Sequence, residues 1–471
     1  MTRPLSRLLV ASVMAVIGFA CGDATPAVTG GSGGTSAAGA SGVTVGGAAA
    51  PGGVGGQASG GSMAVDGPGS AGGGGFANAG SGGGGGGVAG VGAAGIAAPG
   101  GAASTAGASG ATHAAGAAAQ SGGAGAAGTS GTGGELDAGV MASAMGFGTN
   151  IGNTLENTTS WETGWGQPLI TRAFIDGMAS RGIKTVRVPV AWDTYATSGK
   201  IDSTKLARVK EVVGWIEAAG MYAIVNIHWD GGWIFSENQA DAYTLTDSVK
   251  TKFADYWNQI ASGFSDVGHQ LILEGLNEEG RFYEAGDPNG VPDLAALNEL
   301  NQLFVTTVRA VGGYNTTRAL LIAGFHTDIA KTCVDAFAVP TDPAGAGKLL
   351  LSIHFYDPYT FTLMEDPESW GSPQASWGTD AEKKAVEDLF SELGAFSTSK
   401  QIPVILGEFA VTRGTKVVRE PAARSTWMEV VANAALSRGM VPVLWDTGTD
   451  IARSDGAFSS ELQAVMDNLR K

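Results

Sequence analysis

Eight short apolar runs between residues 136 and 471 limit what this chain can fold into. They are Met145–Ile151, Thr185–Val190, Tyr222–Ile227, Leu271–Leu273, Ala319–Ala323, Leu349–Phe355, Val404–Leu406 and Met440–Leu444. Each has the length of a buried strand. Between them lie segments of helical spacing: Leu206, Val209, Val213 and Ile216 share one face, as do Val386, Leu389, Phe390 and Leu393. The second of these segments opens on Thr379-Asp380-Ala381-Glu382, a capping box. Gly182, Gly220 and Gly439 stand where helix C-caps would turn into the next strand. Eight buried strands alternating with helices predict an α/β fold, the (β/α)₈ TIM barrel. A doubly wound open sheet is the alternative. It usually carries G-x-G-x-x-G after the first strand, and Gly152-Asn153-Thr154-Leu155 lacks that pattern.

A barrel places functional side chains where its strands end, at the C-terminal face. Those positions hold Arg187 after the second run, His228 after the third and Asn277-Glu278 after the fourth. His354 and Tyr356 follow the sixth, Glu408 the seventh and Trp445 the eighth. Two strands, in LEGLNEE and PVILGEFA, therefore each deliver a glutamate to one rim. Paired carboxylates suit glycoside hydrolysis, one as acid/base and the other as nucleophile or base. Arg187 has the charge to hold one of them ionised. Trp161, Trp165, Trp229, Trp233, Trp377 and Trp445 fall near the same strand ends. Flat indole faces match sugar rings, so together they suggest a polysaccharide track.

A metal-dependent hydrolase is the competing class. No H-x-H or H-E-x-x-H occurs, and His228 is followed by Trp229 and Asp230. His326, after the fifth run, stays open as a pocket residue, while His269 and His113 read as structural and as part of the N-terminal tract. No metal site is expected. Cys333 reads as a small apolar residue rather than a nucleophile.

The N-terminal third is different in kind. Arg3 and Arg7 precede an apolar run from Leu8 to Ala20, too short to span a bilayer, so residues 1–21 read as an export signal. Cys21 after Gly18-Phe19-Ala20 resembles the lipidated cysteine of bacterial lipoproteins, although Gly18 stands where that motif usually has Leu. A lipid anchor at Cys21 is expected, with simple cleavage as the alternative. Residues 22–135 are Gly, Ala, Ser and Thr with almost no large apolar side chain to offset the entropy of ordering. They read as a flexible tether before a catalytic domain at 136–471. The net charge of −16 disfavours nucleic acid and anionic membrane surfaces and suits a neutral ligand.

Taken together, GTNIGNTLE, WETGWGQP, VRVPVAW, NIHWDGGW, LEGLNEE, SIHFYDPYTFT, LGEFAV and VLWDTG resemble glycoside hydrolase family 5, in particular its bacterial endo-β-1,4-glucanases. The stretches run in family order from residue 146 to 448. The resemblance implies an enzyme that cleaves cellulose-type β-glucans with retention and needs no metal or organic cofactor; a monomer is expected. In it Glu278 would be the acid/base and Glu408 the nucleophile. Asn277 would bind the hydroxyl beside the reacting carbon, Arg187 and Tyr356 would position the nucleophile, His228 and His354 would line the reacting-sugar subsite, and Trp445 would floor it. Alternatives are a β-mannanase or xyloglucanase on the same fold, a non-catalytic glycan-binding lipoprotein, or an adhesin built on the tether. The chain departs from the family twice: Glu279 replaces the proline of N-E-P, and Trp229 the second histidine of the usual His-His. Side-chain alternation at a strand end would point Glu278 and Glu279 apart.

Overall fold

The computed structural model describes residues 137–234, 244–280, 282–283 and 291–470. The segments read as export signal, Cys21 and tether lie outside these residues. The eight apolar runs become eight parallel strands that close into a barrel in chain order. They are β1 Gly148–Asn150, β2 Thr185–Val188, β3 Tyr222–Asn226, β4 Leu271–Glu274, β5 Leu320–Ala323, β6 Leu349–Phe355, β7 Val404–Phe409 and β8 Val441–Leu444. The described helices are α1 Ala138–Met145, α2 Arg172–Ser180, α3 Ser203–Ala218, α4 Asp247–Gly263, α5 Leu294–Val311, α6 Ile329–Thr332, α7 Tyr359–Thr362, α8 Asp380–Lys400, α9 Pro421–Leu436 and α10 Ser460–Leu469. The first apolar run thus divides: Met145 ends α1, and the strand begins at Gly148.

The period-two alternation of strand side chains separates two cores. Ala223, Val225, Leu271, Leu273, Leu320, Ile322, Val404 and Leu406 pack outward against the helices. Ile224, Ile272, Leu321, Leu350, Ile405 and Val443 fill the barrel interior, together with Ala138, Met141, Ala142 and Met145 of α1. Helix α1 therefore packs on the side chains inside the barrel, a part that periodicity in the strands did not reveal. Val209, Val213, Ile216, Val386, Phe390 and Leu393 are buried as their spacing predicts. Thr379 and Glu382 form the capping box. Gly182, Gly220 and Gly439 take φ of 98°, 77° and 70°, a backbone shape that glycine adopts without a Cβ clash.

Candidate active site

The top layer of the barrel interior is polar. On β1, β2, β3, β4 and β6 the inward positions near the C-terminal ends are Asn150, Arg187, Asn226, Glu274 and Ser352, all fully buried. The guanidinium of Arg187 binds four acceptors. Its Nε donates to Glu274 Oε2 at 2.6 Å, Nη1 to Glu408 Oε1 at 2.7 Å and Asn150 Oδ1 at 3.0 Å, and Nη2 to Asn277 Oδ1 at 2.7 Å. The Ser352 hydroxyl donates to the other oxygen of Glu274 at 2.7 Å. A buried carboxylate and a buried guanidinium tolerate each other's desolvation only with such saturated partners.

Glu274 escaped the sequence reading, which ended β4 at Leu273. The strand continues one residue, and Glu274 shares the inward parity of Ile272. Asn277 and Glu278 lie beyond it, in a bend. The alternation argued for Glu278 and Glu279 therefore has no strand to act on. Glu279 is buried nonetheless, and its carbonyl accepts from His326 N at 2.9 Å.

Glu408 reaches the interior through a register shift. Ile353 pairs with Leu406 and His354 with Glu408, so Gly407 is an extra residue in β7. Without this bulge Glu408 would share the parity of Val404 and Leu406 and face the helices; with it the carboxylate points inward. A Cβ on Gly407 would sit 3.0 Å from His354 Nε2 and 3.1 Å from Ser352 Oγ, tight enough that either side chain would have to shift to admit it. The Gly407 carbonyl accepts from Asn150 Nδ2 at 2.9 Å.

The two glutamates meet over this layer. Ligand-type atoms of Glu278, His354 and Glu408 all lie within 4.8 Å of one another. His354 Nδ1 is 2.8 Å from Glu278 Oε1 and 3.7 Å from Glu408 Oε2. The Tyr356 hydroxyl donates to Glu408 Oε2 at 2.8 Å. Both oxygens of Glu408 thus accept from fixed donors, whereas Glu278 Oε2 accepts no hydrogen bond among the described residues. Glu278 is also the more open, its side chain 23% exposed against 6% for Glu408. Three such groups could also surround a cation, but Arg187 already stands against Glu408 as its positive partner.

Burial is the largest influence on Glu408, Glu278, His228 and Tyr356. It raises Glu408, against the pull of the His354 ring and Arg187. At Glu278 the hydrogen bond and charge of His354 outweigh burial and lower the carboxyl to about 2. Burial and the Arg187 charge hold His228 well below the usual imidazole range, so that ring is neutral. Its Nδ1 lies 3.3 Å from Asn226 Nδ2, a donor, which leaves the proton on Nε2. Burial and the Glu408 charge push the Tyr356 phenol up, so it remains a donor.

The ring of His228 stacks on Trp445, centroids 5.6 Å apart and planes 6° from parallel. The other tryptophans divide. Trp229 is exposed; Trp161 and Trp233 are partly buried against the core. Trp377 is only 8% exposed and stacks on Phe361, so it belongs to the core rather than to a sugar track. The Cys333 thiol is pushed up to about 12 by its burial, in keeping with an unreactive, apolar role.

The cellulase model of glycosyl hydrolase family 5 matches residues 144–450. A xyloglucan-specific endo-beta-1,4-glucanase of Bacteroides ovatus is 32% identical over 330 residues, which cover 65% of this chain and 64% of that protein. Endoglucanase A of Clostridium longisporum is 34% identical over 336 residues, 66% of this chain and 61% of that one. The chain thus spans a little under two thirds of the length of these curated relatives. Among solved structures, a broad specificity endoglucanase from an uncultured bovine rumen ciliate superposes with a TM-score of 0.63 at 32% identity, covering 71% of this chain and 98% of that chain. With the family match spanning the barrel from β1 to the turns after β8, the chain belongs to glycosyl hydrolase family 5.

Proposed function

We propose that the barrel is a retaining endo-β-1,4-glucanase in which Glu408 is the nucleophile and Glu278 the proton donor. The observation that carries this reading is the closeness and asymmetry of the pair. One oxygen of each carboxyl lies within 4.8 Å of the other's, which favours the short separation of roughly 5–5.5 Å at which a carboxylate attacks directly.

The asymmetry assigns the roles. Two ionised carboxylates this close repel, so the pair tends to hold one proton between them. Arg187 and Tyr356 already donate to both oxygens of Glu408, and a proton there would have to displace one of them. In the free site the hydrogen bond and charge of His354 hold Glu278 low while burial raises Glu408, so the shared proton passes to the open Oε2 of Glu278 only when a sugar displaces water and the His354 ring is neutral. With Oε1 accepting from His354 and Oε2–H aimed at the glycosidic oxygen, Glu278 protonates the leaving group while Glu408 attacks the anomeric carbon. The resulting glycosyl ester is hydrolysed by a water that the now ionised Glu278 deprotonates.

The neighbours act on this exchange. Asn277 has its Oδ1 taken by Arg187, which leaves Nδ2 to donate to the hydroxyl beside the reacting carbon. His228 and His354 line the reacting-sugar subsite, and Trp445 presents a flat face to the sugar. The names of the relatives, which include a xyloglucan-specific enzyme and endoglucanases, support a β-1,4-glucan backbone as substrate. We also read the enzyme as an exported monomer, anchored by lipid at Cys21 and held off by the tether of residues 22–135.

The experiment is hydrolysis of a soluble cellulose derivative with proton NMR of the first products. Release of β-configured reducing ends supports the proposal. Initial α-products, or no release of reducing ends, would reject it.

A further inference from the structure

Trp229 stands apart from the other aromatic side chains of the rim. Its residue is 46% exposed, whereas Trp161 and Trp233 are partly buried against the core. The residue before it is His228, stacked on Trp445. The turn that carries it is fixed from both sides. His228 N donates to Val190 O at 3.0 Å. Buried Asp230 accepts from the backbone N–H groups of Trp192, Asp193 and Thr194 at 2.8, 2.6 and 3.0 Å, and from Trp233 Nε1 at 3.3 Å.

The backbone there is costly for an ordinary residue. Asp230 has φ of 48°, and Gly231 and Gly232 follow at 77° and 72°. A Cβ on Gly232 would come 3.2 Å from Trp229 Nε1, so the glycine leaves the space in which the indole lies. Trp233, four residues on, already serves as the packing aromatic of this turn, tilted on Tyr256 at 5.5 Å. A large flat side chain kept in water on a rigid turn adds little to folding and much to a surface that a ligand can cover.

We infer that Trp229 is the stacking platform for a second sugar ring of the same glycan chain, beyond the ring that reacts. This rests on the hydrolase reading, which supplies the chain. Trp229 directly follows His228, which borders the reacting ring, so an exposed indole on this turn is offered to a neighbouring ring of the same polymer. Trp229 is then a specificity residue, setting how much of a β-1,4-glucan must be present for tight binding.

The test compares wild type, Trp229→Ala and Trp229→Phe on cello-oligosaccharides of increasing length, beside the shortest aryl glycoside that the wild type turns over. Trp229→Ala should raise KM roughly tenfold on the long members with kcat unchanged. Trp229→Phe should recover most of the loss, and the aryl glycoside should show no change. A KM that is unchanged at every length, or a loss of kcat equal on all substrates, overturns the inference. A wild type that cleaves no β-1,4-glucan overturns the hydrolase reading instead, so the two failures are distinguishable.

Discussion

At the scale of single residues, the site works by deciding which oxygens are already occupied. Glu408 accepts from Arg187 and Tyr356, while among the described residues Glu278 accepts only from His354. Replacing Glu278 with Gln should therefore lower kcat on glucan by roughly 10²–10⁴-fold. On an aryl glycoside whose leaving group needs no proton, the first step should survive, which a comparison of the two substrates reads out. The Tyr356 hydroxyl has a separate, signed effect. Glu408 must be ionised to attack, so activity is lost as pH falls through the proton affinity of the pair. Burial raises Glu408, and the Tyr356 hydrogen bond opposes that rise. Tyr356→Phe should thus move the acidic limb of the kcat/KM profile to higher pH; a limb that stays or moves lower contradicts the assignment. Most of these residues were legible, because strand ends can be read from apolar runs. Glu274 was not. Three consecutive apolar residues carry no parity, and only the structure gives Glu274 the inward direction of Ile272 and the Arg187 partner.

At the scale of elements, β7 holds the departure from ideal geometry on which the site depends. Strict alternation through Val404-Ile405-Leu406 would turn Glu408 toward the helices, and the bulge at Gly407 reverses it. The glycine in PVILGEFA was the available signal, since glycine within a strand often marks a bulge or a close approach. Gly407→Ala should press a methyl against His354 and Ser352, moving the ring that bonds Glu278. The expected outcome is a fall in kcat of more than about tenfold with circular dichroism unchanged, because misplaced catalytic groups cost more rate than fold. Wild-type kcat would mean that the bulge does not set the geometry. Helix faces and caps were more legible than this, since a capping box and a 3.6-residue period are local and the bulge depends on the pairing of β6 with β7. The bend after β4 belongs to the same lesson: Asn277 and Glu278 are held by Arg187 and His354, not by a ladder.

At the scale of the whole molecule, the barrel contains every group that the proposed reaction uses, all between Asn150 and Trp445. Eight strands pairing in order bring Glu278 and Glu408 together across more than a hundred residues of chain. Among the described residues no helix is long and apolar enough to cross a membrane. Every group of the proposed reaction comes from the barrel, so the proposed tether should take no part in the chemistry. Deletion of residues 22–135 should leave kcat/KM on a soluble glucan unchanged, and a loss of turnover would assign the tether a role in the reaction. The central claim is that Glu408 becomes covalently bonded to sugar. It is tested most directly by treating the protein with a 2-deoxy-2-fluoro-cellobioside carrying a good leaving group and identifying the labelled peptide by mass spectrometry. The account predicts a glycosyl mass on the peptide containing Glu408; a label on Glu278 or Glu279, or undiminished turnover with no label, would contradict it.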